Sequence, residues 1–291
     1  MLHSPLRTSL LSQATLFFLA LLMFSTAHGQ TQPPKREPFV LGHIDRIKSV
    51  QLNEDRVLNI YLPDGYDADA KVKYPVIYLL DGSADEDFIH IVGLVQYLTF
   101  PWIDVLPKSI VVGIATVDRR RDFTFPTHNA KDLKDYPTTG KSAAFMRFLE
   151  KDLQPYVEKT YRTNGQKTII GQSLGGLFAM EVLLKKPALF NTYIIASPSF
   201  WWDDESLVAQ APGLLKQTSA AAPANVFVAL GNEGPEMKKA TESMVAMLRA
   251  TPTRVGRIEY VPFPEETHAT ILHRAVYKAF ETLYKKPKKA E

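Results

Sequence analysis

The chain has 291 residues, of which 45% are hydrophobic and 22% are charged, and its formal net charge is +3. This balance is typical of one globular α/β domain with a substantial core, and the even mixing of charges gives no indication of a nucleic-acid partner. Cysteine is absent. Its absence excludes disulfides, a thiolate nucleophile, cysteine-ligated zinc and a lipid anchor on cysteine.

The N-terminus has the pattern of a secretory signal. Arg7 precedes an apolar run at 14–24, and small residues lead up to Gly29. We expect a signal peptide at 1–29, cleaved after Gly29, and export to the periplasm or the exterior. An uncleaved anchor is the alternative, although the apolar run is short for a helix that spans a bilayer.

The rest of the chain is predicted to hold one domain. A polar, proline-rich spacer is expected at 30–38, the folded domain at 39–285 and a solvated basic tail at 286–291. The domain contains no further segment long and apolar enough to span a membrane, so we expect no span in the mature chain.

Predicted strands and helices alternate along the domain. Strands are predicted at 39–52, 56–62, 75–80, 109–115, 167–170, 191–196, 225–230 and 254–261, and helices at 87–98, 141–161, 236–249 and 268–284. This alternation predicts a single-domain, mostly parallel sheet of about eight strands, with helices on both faces and an N-terminal hairpin. Residues 117–140 are predicted to be a long loop, and no large lid is expected before the strand at 225–230.

A serine lies at the sharpest predicted turn. A β-branched strand enters Gly171-Gln172-Ser173-Leu174-Gly175 and a helical pattern leaves it. A nucleophile elbow has this strand, turn and helix, and we expect side chains at 171 and 175 to collide, which explains both glycines. The sequence therefore indicates Ser173 as a nucleophile. The alternative is a glycine-rich turn in which Ser173 only caps the helix.

A nucleophilic serine needs a general base and an acid that orients it. The chain order of this architecture is serine, acid, histidine. Glu233 follows the strand at 225–230 and His268 follows the last strand, so we predict these roles for them. Glu236 as the acid, or a Ser–His dyad, are the alternatives.

The other histidines are not expected to take part in catalysis or to bind a metal. His90 and His273 are interpreted as packed or exposed residues, and no metal or cofactor is expected, because no residues cluster with ligand spacing in the sequence.

An oxyanion hole requires two backbone N–H donors. We expect them from Leu174 and from Ser83 in the loop after the strand at 75–80.

Several motifs together resemble one branch of the α/β-hydrolases, the "putative esterase" branch, which includes S-formylglutathione hydrolases, siderophore esterases, feruloyl esterases and mycolyltransferases. The motifs are YPVIYLLDG at 74–82, FMRFLEKDLQPYVEKTYRT at 145–163, GQSLGGLFAM at 171–180, ASPSFWWDD at 196–204, GNE at 231–233 and ETH at 266–268.

The resemblance implies roles for individual residues. It implies Ser173 as nucleophile, His268 as base, and N–H groups of Ser83 and Leu174 as oxyanion donors, with the acid in the loop of Glu233. It also implies that Trp201 and Trp202 lie beside the cleft as substrate-binding residues, and an aromatic plug is the alternative. The run at 119–121 is implied to lie near the cleft, where its arginines could pair with an anionic substrate, and a solvated charge run is the alternative.

The function expected from these features is an exported serine hydrolase of carboxylic esters that works through an acyl-enzyme on Ser173. Its partner would be a small or oligomeric ester, with siderophore-type or aryl (feruloyl) esters favoured. Export argues against a glutathione thioester as substrate. An acyltransferase with the same acyl-enzyme and a non-catalytic binding protein of the same fold are the alternatives.

Overall fold

A computed structural model of the protein describes residues 35–66, 71–217 and 222–284. The chain divides into two units, 1–40 and 41–291. The described residues of the first unit form no helix or strand. The expected signal at 1–29 and the basic tail at 286–291 lie outside the described residues. Within the described ranges, no helix is long and apolar enough to cross a membrane.

The second unit is built on one eight-stranded sheet. Its strands are β1 His43–Ser49, β2 Glu54–Tyr61, β3 Tyr74–Leu79, β4 Ile110–Ile114, β5 Thr163–Gln172, β6 Thr192–Ala196, β7 Ala224–Leu230 and β8 Val255–Pro262. They lie in the order β1-β2-β4-β3-β5-β6-β7-β8. β2 is antiparallel to β1 and to β4, and the other neighbours are parallel. The predicted hairpin and mostly parallel sheet are therefore confirmed.

Helices connect the strands. Those in the described ranges are α1 Phe88–Leu98, α2 Arg119–Phe123, α3 Ala130–Asp135, α4 Ser142–Phe148, α5 Gln154–Thr160, α6 Leu174–Lys185, α7 Trp202–Leu215, α8 Pro235–Arg249 and α9 Ile271–Tyr284. The helices α4 to α8 pack on one face of the sheet, and α1 and α9 pack on the other. No large lid stands over the sheet in the described part of the chain.

The structure differs from the predicted elements in three places. The expected loop at 117–140 contains α2 and α3, whose first turns are capped by the side chains of Asp118 and Asn129. A cap stabilises a helix too short to show a periodic pattern. The helix expected at 141–161 is interrupted by a π-helical turn at Leu149–Leu153, and α7 was not predicted.

The central strands bury side chains on both faces. Ile169 belongs to the core beneath α4 to α8, and its neighbour Ile170 belongs to the core beneath α1 and α9. Because successive strand residues point to opposite faces, a strand covered on both sides is apolar throughout. The parallel strands end at one edge of the sheet, and the loops that follow β3, β5, β6, β7 and β8 meet there.

Candidate active site

Ser173 lies in a strained turn between β5 and α6. Its backbone has φ 59° and ψ −122°, a combination that residues with a side chain rarely adopt. Its N–H donates to Ala196 O (3.0 Å) and its carbonyl accepts from Leu177 N–H (2.9 Å). The turn is therefore fixed by backbone contacts to β6 and to the helix that it starts.

The glycines around Ser173 differ in how much room each leaves for a side chain. A Cβ at Gly171 would lie 2.4 Å from Gly175 O, so no side chain fits there. A Cβ at Gly175 would lie 3.4 Å from Asp81 Oδ2, an ordinary contact, so the prediction of a collision at 175 is wrong. Gly176 is the tighter helical position, because a Cβ there would lie 3.0 Å from Ala196 O.

His268 and Glu233 are paired beside the turn. His268 Nδ1 donates to Glu233 Oε2 over 2.8 Å. The His268 side chain is 46% exposed, whereas that of Glu233 is 8% exposed. Burial alone would raise the pKa of the Glu233 carboxyl, but the His268 imidazole and the Ser197 hydroxyl outweigh it and hold that pKa below its ordinary value. The carboxylate is thus kept charged against the imidazole.

The two loops that carry this pair are joined by their backbones. Asn232 N–H donates to Glu266 O (2.8 Å). A Cβ at Gly231 would lie 2.9 Å from the same carbonyl, so a glycine is needed for this approach. Glu236 lies in the first turn of α8, where its charge complements the helix dipole. Between the two candidate acids, the structure therefore brings Glu233 to His268.

The Ser173 hydroxyl has a different neighbour. Ser173 Oγ and Ser199 Oγ share a hydrogen bond of 3.2 Å, and Ser199 N–H donates to Ser173 O (3.1 Å). No hydrogen bond joins Ser173 to His268 within the described ranges. The expected pair of Glu233 and His268 is therefore in contact, whereas the expected contact between Ser173 and His268 is not formed.

The expected oxyanion donors lie on either side of the turn. Leu174 is the first residue of α6, where a backbone N–H has no acceptor within the helix. Ser83 N–H donates to Glu86 Oε2 over 3.3 Å. Gly82 N–H donates to Ile114 O (3.0 Å) and is not free to bind a ligand.

Ser173 and His268 line one open cleft of about 360 Å³, together with Asp81, Glu86, Asp87 and Arg119. Sequence reasoning did not single out Asp81, Glu86, Asp87 or the contact made by Ser199. Acidic residues in a loop carry no pattern of their own, and they become recognisable only once the fold brings the loop to the cleft.

Arg119 is anchored in the cleft. Its Nε donates to Asp81 Oδ1 (2.9 Å) and its guanidinium to Gln172 O (3.2 Å), directly before Ser173. Burial raises the pKa of Asp81, and Arg119 opposes this shift. Arg121 forms ion pairs with Glu54 and Asp122. The interpretation of 119–121 as a solvated charge run is therefore wrong for both arginines.

The two tryptophans differ in exposure. Trp202 is fully buried and its indole N–H donates to Phe125 O (3.0 Å), which corresponds to the aromatic plug. Trp201 is 38% exposed and lies 5.9 Å from the Tyr136 ring, centroid to centroid. Neither indole is among the side chains that line the cleft of Ser173.

The sheet order, the strained serine after β5, and an acid and a histidine after later strands define the class of the protein: it is an α/β-hydrolase. Comparison with known proteins identifies the family within this class. A model of the family described as "Putative esterase" matches residues 49–268, which is most of the chain, and the chain belongs to that family.

Named relatives agree with this assignment. Ferri-bacillibactin esterase BesA of Bacillus subtilis (strain 168) is 31% identical over 244 residues, which cover 78% of this chain and 84% of BesA. An IroE-like serine hydrolase from Shewanella oneidensis is 31% identical with a TM-score of 0.76, covering 84% of this chain and 80% of that chain.

A third protein, the BES protein from Bacillus cereus, has the same TM-score of 0.76 at 24% identity, over 87% of this chain and 99% of its own, and so resembles it in fold alone. Family and relatives together identify the chain as a carboxylic ester hydrolase.

Proposed function

We propose that the chain is an exported serine esterase that cleaves carboxylic esters through an acyl-enzyme on Ser173. The observation that carries the proposal is the 2.8 Å hydrogen bond from His268 to Glu233, beside Ser173 in one cleft. A carboxylate that accepts from Nδ1 leaves Nε2 as the basic nitrogen, as a general base requires.

In the proposed reaction, His268 Nε2 takes the proton of Ser173 as Oγ attacks the ester carbonyl. His268 then protonates the departing alcohol, and water repeats the sequence on the acyl-enzyme to release the acid. Ser173 must leave its contact with Ser199 to approach His268. Catalytic hydrogen bonds commonly tighten in this way only when substrate is bound.

The negative oxygen of the intermediate would bind the N–H groups of Leu174 and Ser83. The bond between Ser83 N–H and the exposed Glu86 carboxylate is long, at 3.3 Å. An oxyanion can therefore take the place of the Glu86 carboxylate as the acceptor of the Ser83 N–H, and that carboxylate would then be solvated by water.

Siderophore-type esters are the proposed substrates. This choice is supported by the relative named ferri-bacillibactin esterase, of whose length the match covers 84%. The cleft is open and polar, and Arg119, 34% exposed, offers it a cation. These features suit a bulky polar ester, and aryl esters such as feruloyl esters are the second class to test.

Two alternatives share the same fold. An acyltransferase would form the same acyl-enzyme but pass it to an alcohol, so products formed with added acceptor alcohols distinguish it. A binding protein without activity would lack a reactive serine.

The proposal of export rests on the sequence at 1–29. It is tested by cell fractionation of the full chain and by N-terminal sequencing of the mature protein.

The decisive experiment is hydrolysis of p-nitrophenyl butyrate by the wild type and by Ser173→Ala and Ser199→Ala. Loss of the nucleophile should lower kcat by up to about 10⁶-fold, whereas loss of one neighbouring hydrogen bond should lower it about tenfold or less. A fluorophosphonate should label Ser173, located by mass spectrometry. An unlabelled Ser173, or Ser173→Ala with full activity, would contradict the proposal.

Substrate class is tested next with cyclic tri-ester siderophores, iron-loaded and iron-free, beside methyl ferulate. We expect a kcat/KM at least about tenfold higher on the siderophores, a difference of about 1.4 kcal/mol in transition-state binding. Faster turnover of methyl ferulate would reject the siderophore assignment while leaving the serine esterase intact.

A further inference from the structure

Three potential metal ligands meet at one rim of the cleft. Asp87, His90 and His273 each offer one ligand atom, and these atoms all lie within 4.8 Å of one another. Asp87 and His90 are far from His273 in the sequence, which is why spacing alone gave no sign of a cluster. The fold brings them together because α1 packs against α9 on the same face of the sheet.

The backbone presents the ligands from the starts of two helices. Asp87 is the N-cap residue of α1 and its side chain makes no capping hydrogen bond. His90 follows within the first turn of α1, and His273 lies in the first turn of α9. Residues three apart on a helix share a face, so Asp87 and His90 can both turn toward His273.

The spacing approaches that of a metal site. His273 Nε2 lies 3.5 Å from Asp87 Oδ1. Ligand lengths of about 2.0–2.2 Å in a tetrahedral zinc site place ligand atoms about 3.3–3.6 Å apart. The His90 and His273 rings are edge to face with centroids 4.6 Å apart, so rotation of the exposed His90 side chain is the remaining adjustment.

His273 Nε2 is also unsatisfied. The atom is shielded from solvent and makes no hydrogen bond with its ion-pair neighbour Asp87 or with another group, although the side chain as a whole is 42% exposed. A buried polar atom without a partner has a free-energy cost, and an absent ion is one of the recognised reasons for it. An ordinary histidine–aspartate pair would place the two atoms closer, at about 2.7–3.2 Å.

We infer that Asp87, His90 and His273 form a binding site for a divalent first-row transition metal, best represented by Zn²⁺. Two imidazoles and one carboxylate suit zinc and its neighbours, whereas calcium and magnesium prefer oxygen ligands. The two helix N-termini repel a cation, so the Asp87 carboxylate is required to balance the charge.

The site would link two loops of the active site. Asp87 comes directly after the loop of Ser83 and Glu86, and His273 follows His268 by five residues. A bound ion would hold the start of α1 to the start of α9. A ligand that binds only the folded state stabilises it, so metal should also raise the melting temperature.

Zinc binding is tested by calorimetric titration of the untagged full chain with Zn²⁺, with Co²⁺ absorption spectra as a second readout. We expect one equivalent per chain. Because the loss of even a second-shell partner costs about 10–100-fold in metal affinity, His90→Gln and His273→Gln should each weaken binding by about 100-fold or more. Asp87→Asn should weaken it similarly.

Two control variants separate this site from other histidines. His128→Gln changes an exposed histidine outside the cluster and should leave the affinity unchanged. His268→Gln should also retain the metal. Binding lost in His268→Gln but kept in His90→Gln and His273→Gln would overturn the inference, as would a wild type that binds no zinc. Circular dichroism checks that each variant is folded, and no outcome depends on ester hydrolysis.

Discussion

The two halves of the site are held in different ways. The half that carries Ser173 is fixed by the backbone, through a strained turn, a glycine with no room for a Cβ, and hydrogen bonds to β6. In the half that carries His268, a backbone hydrogen bond from Asn232 to Glu266 joins the two loops, but the half-exposed imidazole itself is oriented by the carboxylate of Glu233.

This difference separates stability from activity. A change at the turn must disturb the packing between β5 and α6, so it should cost folding free energy and activity together. A change at Glu233 alters side-chain hydrogen bonds without disturbing the packing between β5 and α6, so it should cost activity and leave the fold almost intact. Variants of the two halves should therefore fall into two groups when activity is compared with melting temperature.

Glu233→Gln should give the largest effect among these variants. An amide can donate to Nδ1 as well as accept from it, so it no longer enforces the tautomer in which Nδ1 is protonated, and it has no charge to stabilise the imidazolium; kcat should therefore fall by about 10³–10⁴-fold. The melting temperature should change little. The measurement is kcat on a p-nitrophenyl ester, together with a thermal unfolding curve.

Glu236→Gln is the matched control, because that residue lies in the same segment but in the first turn of α8. It should retain near wild-type kcat. If Glu236→Gln were impaired and Glu233→Gln active, the assignment of the acid would be wrong.

Gly171→Ala should give the next largest effect, and it tests the half that carries Ser173 and is fixed by the backbone. The new Cβ would lie 2.4 Å from Gly175 O, so the strand and the helix must separate. Overpacking of this kind costs about 1–3 kcal/mol in the free energy of unfolding. Urea denaturation measures this loss, and activity should fall with it.

Gly175→Ala supplies the comparison within the same turn. Its Cβ would make only an ordinary contact, and alanine in a helix is favoured over glycine by up to about 1 kcal/mol. We expect unchanged or slightly higher stability. Equal losses at both positions would show that the clearance between strand and helix does not depend on Gly171.

The sequence predicted the half of the site that carries Ser173 far better than the side-chain pairs at the rim of the cleft. The glycines, the β-branched strand and the apolar helix around Ser173 are local signals, and the mostly parallel sheet follows from the alternation of strands and helices and from the connection rules. The pairings of Arg119 with Asp81 and of His273 with Asp87 join distant segments through single side chains. No local period records such contacts, so they could not be predicted without the fold.

The same reason explains the errors in individual segments. α2 and α3 are too short for an apolar period, and their capping residues Asp118 and Asn129 are common in loops as well. Trp201 and Trp202 are adjacent in the sequence and identical in type, yet only Trp202 is fully buried. Sequence patterns identify which segments meet at the cleft better than which side chains face it.

Arg119→Met should give the smallest of the three losses and tests the ion pair that ties the loop of Ser83 to the half that carries Ser173. Arg119 binds both Asp81, in the loop before Ser83, and Gln172 O, beside Ser173. Methionine keeps the aliphatic packing but removes the charge. The misplaced loop should lower kcat/KM by about tenfold, or about 1.4 kcal/mol.

The pH dependence of stability makes this prediction specific to the ion pair. Burial already raises the pKa of Asp81, and loss of Arg119 should raise it further. A carboxyl with a raised pKa binds more protons when folded than when unfolded, so the free energy of unfolding falls as pH rises between the unfolded and the folded pKa. For Arg119→Met this fall should extend to higher pH than in the wild type. Arg119→Lys, which keeps the charge, should lie between the two, and identical pH profiles for all three proteins would show that Arg119 does not control the ionisation of Asp81.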